Sequence, residues 1–348
     1  MEHRDHAGTA VHGSGLCAVL PPDREHRPDQ RHQRDLPHSC VRGVVGRPVP
    51  RRELDPADDP QLRRDPRGHG IDHWSSTLEN GAARYDAAVI PWLHDDDTPL
   101  PDPRFALPRG SEAPGLLAAG GRLSIERLTE AYSKGVFPWF SEGQPVLRWS
   151  PDPRMVLPVG QFRLSRSLRK TISRFVRTPG CEVRIDSAFG TVIRRCASTP
   201  REGQDGSWIV PGMVAAYSAW HRQGAVHSFE TWIDGELVGG LYGVSLGRMF
   251  FGESMFSLQT DASKIALAAL VCFCREHGVA LIDCQQNTRH LASLGAHEIC
   301  RADFERHLTL SLGATPIVDW TYHPRLWVHL GFGSAAAASG EPTTKTAA

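Results

Sequence analysis

The stretch VHSFETWIDGELVGGLYGVSLGRMFFGESMFS, residues 226–257, decides the fold class of this chain. Its three runs of alternating or apolar residues are separated by Asp234-Gly235 and by Gly247, which are tight-turn signals. Such turns join neighbouring antiparallel strands, so the pattern predicts a three-stranded meander. Glu253 is expected near the end of the third strand, between aromatic residues and methionines.

The residues after the meander predict a helix, a strand and a second helix. DASKIALAALVCFCREHG (261–278) is apolar enough for a largely buried helix, with Asp261 as its N-cap and Gly278 as its stop. VALIDCQ (279–285) predicts a short buried strand, and a helix is expected around residues 287–294. This order gives an α+β domain that resembles the core of the N-acetyltransferase (GNAT-like) acyltransferase fold.

Two helices and a turn-rich segment are predicted before the meander. QFRLSRSLRKTISRFVRT (161–178) has apolar residues at helical spacing and six basic residues without an acid. Its basic face is either an ordinary solvated surface or a surface that binds nucleic-acid phosphates, and the residues alone leave both open. SIERLTEAYSKG (124–135) predicts a helix capped by Ser124 and ended by Gly135, and residues 136–154 are expected to form turns rather than a sheet.

Composition divides the chain into four parts. Residues 1–85 are dense in Arg, Asp, His, Pro and Gly, which predicts a disordered or mis-annotated leader. Residues 86–153 are expected to form a small N-terminal α+β domain and residues 154–330 the acyltransferase-like domain. Residues 331–348 are of low complexity and predict a disordered tail.

Charge and cysteine content narrow the function classes. Lys plus Arg and Asp plus Glu each number 39 among 348 residues, so a nucleic-acid surface has to be a local patch. The eight cysteines lack the spacing of a disulfide framework, and no signal peptide or apolar run of transmembrane length occurs, which predicts a cytoplasmic protein. No CxxC spacing occurs in the leader, whose two cysteines are Cys17 and Cys40, and no metal site is predicted there.

Polar residues in apolar surroundings predict a ligand site at the ends of two neighbouring strands. Glu253, Asp283 and Gln285 are its polar members. Each also has a structural interpretation, namely an ion pair for Glu253, a helix cap for Asp283 and pairing with backbone groups for Gln285. The apolar neighbours, which could equally belong to the core, are Trp139, Trp208, Phe250 and Met255.

Cys284 offers a different enzyme hypothesis, a thiol protease or thioester enzyme with His290 or His227 as the base. Alternation along a strand would place the Cys284 side chain on the face opposite to Asp283 and Gln285, towards the core. That orientation argues against a nucleophilic role for Cys284.

A coenzyme-A-dependent acetyltransferase is a further alternative. Its pyrophosphate would need a glycine-rich turn at the start of the helix predicted over residues 261–278. The sequence there, SLQTDASK (257–264), has no glycine and carries an acid instead.

A series of motifs carries a resemblance to a known family. They are APGLLAAGGRLS (113–124), GVFPWF (135–140), RWSPDPR (148–154), LSRSLRK (164–170), HSFE (227–230), ELVGGLYGV (236–244), FFGESMFS (250–257), ASK (262–264), LIDCQ (281–285) and ASLGA (292–296). In this order, over residues 107–324, the chain resembles the leucyl/phenylalanyl-tRNA-protein transferases. It departs from the family pattern at CQQNTRH (284–290), at Leu241 in place of methionine, and in the leader.

The resemblance implies a soluble, cytoplasmic aminoacyltransferase of the leucyltransferase type. Such an enzyme moves Leu or Phe, with Met as a further candidate, from tRNA to the α-amine of proteins that begin with Arg or Lys, and so marks them for N-end-rule degradation. Because an aminoacyl ester is already activated, neither a cofactor nor a metal is expected. The expected partners are aminoacyl-tRNA (Leu, Phe) and the acceptor proteins, with no membrane, and the enzyme is expected to be a monomer. The alternatives are a non-catalytic tRNA-binding protein and a GNAT-type acetyltransferase.

The resemblance also implies residue roles. Asp283 and Gln285 would lie nearest the reacting amine, with Gln285 polarised by Asp283 and accepting or orienting the amine proton. Glu253 would hold the incoming cationic end of the peptide. The aminoacyl side-chain pocket would consist of Trp139, Trp208, Leu241, Phe250 and Met255. The contacts to the tRNA acceptor-stem phosphates would come from Arg166, Arg169, Lys170 and Arg174.

Overall fold

The computed structural model describes residues 90–199 and 207–333. The leader expected at residues 1–85 and most of the tail expected at residues 331–348 lie outside the described residues. In the described part of that tail, Phe332 is buried and packs on Trp327, with 6.2 Å between the ring centroids.

The described strands form two sheets. In chain order they are β1 (Trp92–Leu93), β2 (Leu116–Gly120), β3 (Phe137–Pro138), β4 (Leu147–Trp149), β5 (Arg154–Pro158), β6 (Cys181–Ile185), β7 (Val226–Ile233), β8 (Glu236–Leu246), β9 (Met249–Ser257), β10 (Leu281–Gln285) and β11 (His297–Ile299). The smaller sheet has the order β1-β2-β4-β3, and the larger sheet has the order β11-β5-β10-β9-β8-β7-β6.

Helices accompany both sheets, which makes the fold a mixed α+β fold. They are α1 (Ile125–Ser133), α2 (Arg166–Phe175), α3 (Phe189–Ser198), α4 (Pro211–Arg222), α5 (Ala262–Glu276), α6 (Arg289–Ser293) and α7 (Arg301–Leu312). Short 3-10 turns occur at Pro103–Phe105, Val159–Gln161 and Pro324–Leu330.

The predicted meander is confirmed as β7, β8 and β9, which pair in antiparallel order. Asp234 and Gly235 both have positive φ angles, of 50° and 81°, as the tight turn between β7 and β8 requires. The chain then crosses over through α5, so β10 pairs with β9 in parallel and with β5 in antiparallel fashion. This arrangement brings the middle of β9 beside the end of β10.

Helix ends were predicted with mixed success. Ser124 caps α1 as expected, because its hydroxyl accepts a hydrogen bond from the Arg127 amide at 3.2 Å. The side chain of Asp261 makes no capping bond to α5, and its carboxylate instead pairs with Lys264 at 2.7 Å. The backbone of Asp261 is left-handed, with a φ angle of 65°, which removes it from normal capping geometry.

The expectation that residues 136–154 avoid sheet structure is wrong. The segment contains β3 and β4, and β4 pairs with β2, a strand more than 25 residues earlier in the chain. Strands of two or three residues are too short to show a period, and their partners are distant in sequence. The turn-forming residues that dominate the segment therefore conceal the strands.

The larger sheet separates two hydrophobic clusters. One cluster contains α5, the apolar face of α2 and the turn Pro324–Leu330, whereas the other contains α1, α3, α4 and the smaller sheet. Neighbouring residues of β9 divide between them, with Phe250 in the first cluster and Phe251 in the second. This division follows from strand geometry, in which successive side chains point to opposite faces.

The close approach of α5 to β8 depends on Gly239. A Cβ atom added at Gly239 would lie 2.5 Å from the Ala262 Cβ and 2.8 Å from the Ala262 carbonyl carbon. We expect Gly239→Ala to lower the free energy of unfolding by about 2 kcal/mol, because overpacking against backbone forces the helix outward. Urea unfolding followed by circular dichroism measures the change.

Gly160→Ala is the matched control for this substitution. An added Cβ at Gly160 meets no atom within 4 Å, so its unfolding free energy should stay within about 0.5 kcal/mol of the parent value. Equal urea midpoints for the two variants would show that α5 moves away at little cost.

Candidate active site

A cavity of about 500 Å³ opens over the middle of β9 and the end of β10. Its floor is apolar and is made by Leu241, Leu267, Leu270 and Ile282. Trp139 and Trp208 form part of its wall. The polar and remaining lining residues are Glu253, Ser254, Met255, Asp283, Cys284, Gln285, Gln286, Thr288 and His290, together with Phe137, Tyr242, Gly252 and Leu291. An apolar floor with a few convergent polar groups is the usual composition of a ligand site.

The structure brings together all but one of the predicted catalytic and pocket residues. Glu253, Asp283 and Gln285 line the same cavity as Trp139, Trp208, Leu241 and Met255. Phe250 is not among the lining residues. It lies in the core beside the cavity, where its ring packs on Phe229 with centroids 6.2 Å apart.

A β-bulge places Glu253 in the cavity. Gly243 pairs with Gly252 and Tyr242 pairs with Ser254, so Glu253 is the extra residue of β9. The residue is therefore inside the strand rather than near its end, as the sequence had suggested. A bulge re-aims side chains and is common beside active sites.

A second bulge occurs on β10, and it makes the predicted orientation of Cys284 wrong. Asp283 pairs with Val156 and Gln285 pairs with Met155, which leaves Cys284 as the extra residue, so strict alternation does not hold. Cys284 consequently lines the same cavity as its two neighbours.

Cys284 nevertheless has no activated thiol. Its Sγ makes a 3.8 Å hydrogen bond with the Ile282 carbonyl oxygen, and burial raises the pKa of the thiol well above its ordinary value. Since the thiolate is the nucleophilic form, this environment disfavours a thiol mechanism. His227, one of the bases considered for it, contacts Asp186 at 2.7 Å and is not among the residues lining the cavity.

Glu253 is held by side chains from two different elements. Its Oε1 accepts hydrogen bonds from the Tyr132 hydroxyl of α1 at 2.7 Å and from the Gln285 amide of β10 at 2.9 Å. The Tyr132 hydroxyl is in turn hydrogen-bonded to the Tyr217 hydroxyl of α4. Within residues 90–199 and 207–333, Glu253 makes no ion pair, so the structural interpretation proposed for it does not apply there.

The surroundings of Glu253 bring its titration near neutral pH. Burial raises the pKa of the carboxyl group to about 7. The hydrogen bond from Tyr132 opposes this effect, and the negative charge of Asp283 adds to it. Glu253 can therefore change its charge near neutral pH, when a substrate or a proton arrives.

Asp283 is a fully buried carboxylate that is neutralised by Arg154. The Arg154 Nε and Nη2 atoms donate to the two carboxylate oxygens at 2.9 and 2.7 Å. The Asp283 Oδ1 atom also accepts the Gln285 backbone amide at 2.8 Å. The hydrogen bonds of Asp283 therefore orient the main chain of Gln285, whose φ angle of 63° is unusual for a residue other than glycine.

Helix α6 does not use Asp283 as a cap. Thr288 is its N-cap, and the Thr288 hydroxyl accepts a hydrogen bond from the Leu291 amide at 3.2 Å. The helix-cap interpretation of Asp283 is thus wrong. Asp283 instead accepts the backbone amide of Gln285 at the bulge of β10.

Comparison with known proteins gives the family. The profile of the leucyl/phenylalanyl-tRNA protein transferases matches residues 156–309, and the profile of their N-terminal domain matches residues 121–152. A leucyl/phenylalanyl-tRNA-protein transferase of Methylibium petroleiphilum is 67% identical over 239 residues, which are 69% of this chain and 90% of that protein. One of Leptothrix cholodnii is 64% identical over 245 residues, 70% of this chain and 96% of that protein. The chain belongs to the leucyl/phenylalanyl-tRNA-protein transferase family.

Solved structures add only a distant similarity. The crystal structure of FemX is 12% identical and covers 50% of this chain and 66% of its own, with a TM-score of 0.32. A similarity at this level does not assign the fold.

The basic helix of this family member is α2. Its apolar face, Leu168, Ile172 and Phe175, is buried. The four residues predicted to contact tRNA, Arg166, Arg169, Lys170 and Arg174, are all exposed, and none of them forms an ion pair within the described part of the chain. The Arg169 Nη1 atom donates to the Leu330 carbonyl at 3.2 Å. A cationic face without acidic partners is available to an anionic ligand.

Two further observations concern ions and membranes. In residues 90–199 and 207–333, no group of three or more His, Cys, Asp or Glu side chains is arranged to hold a metal ion. None of the helices described there has the length and apolar character of a membrane span.

The sequence did not reveal three residues that hold the carboxylates of the cavity through hydrogen bonds. They are Tyr132, Tyr217 and Arg154. Both tyrosines lie on the buried faces of helices, where a core role is the default interpretation. Tyr132 lies 121 residues from Glu253 in the chain, so no local pattern links them. Arg154 had a usable signal, because an arginine at the start of a buried strand requires an anionic partner.

The pKa of Glu253 predicts a pH dependence of stability. An unfolded glutamate loses its proton near pH 4.5, whereas Glu253 in the folded protein retains it to about pH 7. The folded state binds more protons in this interval, so its free energy of unfolding should fall as the pH rises from 4.5 to 7. One unit of pKa corresponds to about 1.4 kcal/mol, so this contribution is at most about 3.5 kcal/mol.

Urea unfolding between pH 4.5 and pH 8 tests this contribution. Glu253→Gln should lack it, so the variant should gain stability relative to the parent as the pH rises through this interval. Glu142→Gln, at an exposed position outside the cavity, is the control and should follow the parent profile. Parallel profiles for all three proteins would refute the neutral-range titration of Glu253.

Proposed function

We propose that this chain transfers Leu or Phe from aminoacyl-tRNA to the α-amine of proteins that begin with Arg or Lys. The product carries a new peptide bond and is marked for N-degron proteolysis. The observation that carries the proposal is a cavity in which an apolar floor adjoins the hydrogen-bonded pair of Glu253 and Gln285, in a chain of this family. We also infer that Met is a further candidate side chain.

The apolar floor is suited to the aminoacyl side chain. Leu241, Leu267, Leu270 and Ile282 present only hydrocarbon, so a leucine or phenylalanine side chain would gain about 1.5–3 kcal/mol from leaving water there. A charged side chain would lose its hydration without a partner. Trp139 and Trp208 would close the wall around the bound side chain.

The polar rim is suited to the reacting amine. The amide nitrogen of Gln285 donates to Glu253, so its carbonyl oxygen is the end that can accept a hydrogen bond from the α-amine. The amine attacks the ester carbon, the carbon–nitrogen bond forms, and the ribose oxygen leaves and takes up a proton. Asp283 contributes by orienting the Gln285 backbone, and no metal or cofactor is needed because the ester is already activated.

We infer that Glu253 meets the cationic end of the acceptor protein. In the part of the chain that the structure describes, no cation pairs with its carboxylate, whereas Arg154 neutralises Asp283. An arginine or lysine side chain would supply the missing countercharge, and the ionised form of Glu253 would be favoured by that pairing.

We infer that Arg166, Arg169, Lys170 and Arg174 hold the acceptor-stem phosphates of the tRNA. All four are exposed on α2, and such contacts position a nucleic acid without reading its sequence.

We further propose two domains, residues 86–153 around the smaller sheet and residues 154–330 with a GNAT-like fold, in a cytoplasmic monomer. The end of the smaller sheet at Trp149 and the start of the larger sheet at Arg154 support that division.

Transfer of radiolabelled leucine tests the function. The purified protein should move Leu from leucyl-tRNA to a peptide that begins with Arg and should leave a peptide that begins with Asp unmodified, because Glu253 repels an acidic side chain. Gln285→Ala should lower kcat by at least about 100-fold while tRNA affinity is retained, since it removes the acceptor for the amine. Failure of the parent protein to transfer Leu, with intact tRNA binding, would favour the non-catalytic tRNA-binding alternative.

The salt dependence of tRNA binding tests the role of α2. Arg166→Ala should weaken binding and make the slope of log affinity against log salt concentration shallower by about 0.7–0.9, the release of counterions from one phosphate. Arg306→Ala is the control, because Arg306 is exposed on α7 and already pairs with Asp303. An unchanged slope for Arg166→Ala would mean that its charge lies outside the tRNA interface.

A further inference from the structure

We propose that Arg154 is a positioning residue for the transfer reaction. Its guanidinium group is linked to Glu253 by two separate series of hydrogen-bonded contacts, which we call the two arms. The inference rests on the proposed function for its kinetic consequence. Arg154 itself is remote from the substrate, since it is buried and is not among the residues that line the cavity.

The first arm runs through the bulge of β10. Arg154 binds both carboxylate oxygens of Asp283, and Asp283 accepts the backbone amide of Gln285. The Gln285 side chain then donates to Glu253. Three successive hydrogen-bonded contacts thus connect the guanidinium of Arg154 to the Glu253 carboxylate.

The second arm runs through the end of α1. The Arg154 Nη1 atom donates to the Gly135 carbonyl at 3.0 Å, and the Gly135 amide donates to the Tyr132 carbonyl at 3.0 Å. The Tyr132 hydroxyl donates to the same Glu253 oxygen as Gln285 does. Arg154 therefore closes a ring of contacts that begins and ends at Glu253.

Aromatic packing fixes the plane of the guanidinium. Its central carbon lies 4.8 Å from the Phe137 ring centroid and 4.7 Å from that of Phe304. Phe137 also lines the cavity, so the same clamp locates part of the wall. Lysine would retain the charge but could not hold Asp283 with a bidentate fork and Gly135 at the same time.

Arg154 also screens Glu253 from the charge of Asp283. The negative charge of Asp283 raises the pKa of Glu253, and the paired arginine limits that effect. The other groups that face Glu253 are the hydroxyls of Tyr132 and Tyr217 and the amide of Gln285, none of which is cationic. The positive charge of Arg148 lowers the pKa of Tyr217, and Arg148 is not among the groups that act on Glu253.

Two substitutions of Arg154 separate the effect of its bidentate hydrogen bonding, the fork, from the effect of its positive charge. Arg154→Lys keeps the charge without the fork, and Arg154→Gln keeps a hydrogen-bonding group without the charge. Arg127→Met is the matched control, because Arg127 is also buried but pairs with Glu130, outside the ring. The readouts are kcat for leucine transfer to an Arg-starting peptide and the titration of the Glu253 carboxyl carbon, followed by NMR in the free protein and assigned with Glu253→Gln.

Both Arg154 variants should lower kcat at least about 10-fold with a smaller change in KM, because the reacting groups lose their alignment. Arg154→Gln alone should move the Glu253 titration to higher pH, whereas Arg154→Lys and Arg127→Met should leave it near the parent value. If Arg154→Gln does not fold, Arg154→Lys decides through kcat.

Three results would overturn the proposal. They are a kcat for Arg154→Lys within twofold of the parent, a Glu253 titration that does not move in folded Arg154→Gln, and an equal shift in Arg127→Met. A parent protein without transfer activity would refute the proposed function instead, and the NMR titration would still test whether Arg154 governs the charge of Glu253.

Discussion

The buried ion pair between Arg154 and Asp283 is the interaction on which the rest of the site depends. Both side chains are withdrawn from water, and removing one partner of such a pair typically costs about 3–5 kcal/mol. The bidentate geometry and the additional bonds to Gly135 and to the Gln285 amide offset the cost of desolvation. The pair thereby joins β5 and β10 of the larger sheet to the end of α1.

The site uses its two carboxylates differently because their surroundings differ. Asp283 has a fixed cation and acts through the backbone of Gln285, whereas Glu253 has hydrogen-bond donors but no cation among the described residues. The charge of Asp283 is therefore balanced by a fixed cation, whereas Glu253 is held by hydrogen bonds. Two bulges, at Glu253 and at Cys284, bring both strands into this arrangement.

Much of the framework was predictable because its signals are local. The meander was visible from tight turns and strand-length runs, and α2 was visible from the helical spacing of Leu168, Ile172 and Phe175. The smaller sheet was not predictable from the sequence, since its strands are short and pair across long loops. At the cavity, Glu253 and Gln285 had been singled out for their polarity and they lie together there, whereas Phe250 lies in the core beside the cavity. The predicted face of Cys284 was wrong because of the bulge in β10.

By itself the sequence determined the α+β class, the family pattern and the chemical identity of the polar residues, since these depend on residue type and on spacing within single elements. Only the tertiary structure decided which groups meet. The contacts of Glu253 with Tyr132 and of Arg154 with Asp283 join residues more than 100 positions apart. The bulges, too, arise from pairing between strands, so no pattern within one strand reveals which face a side chain occupies.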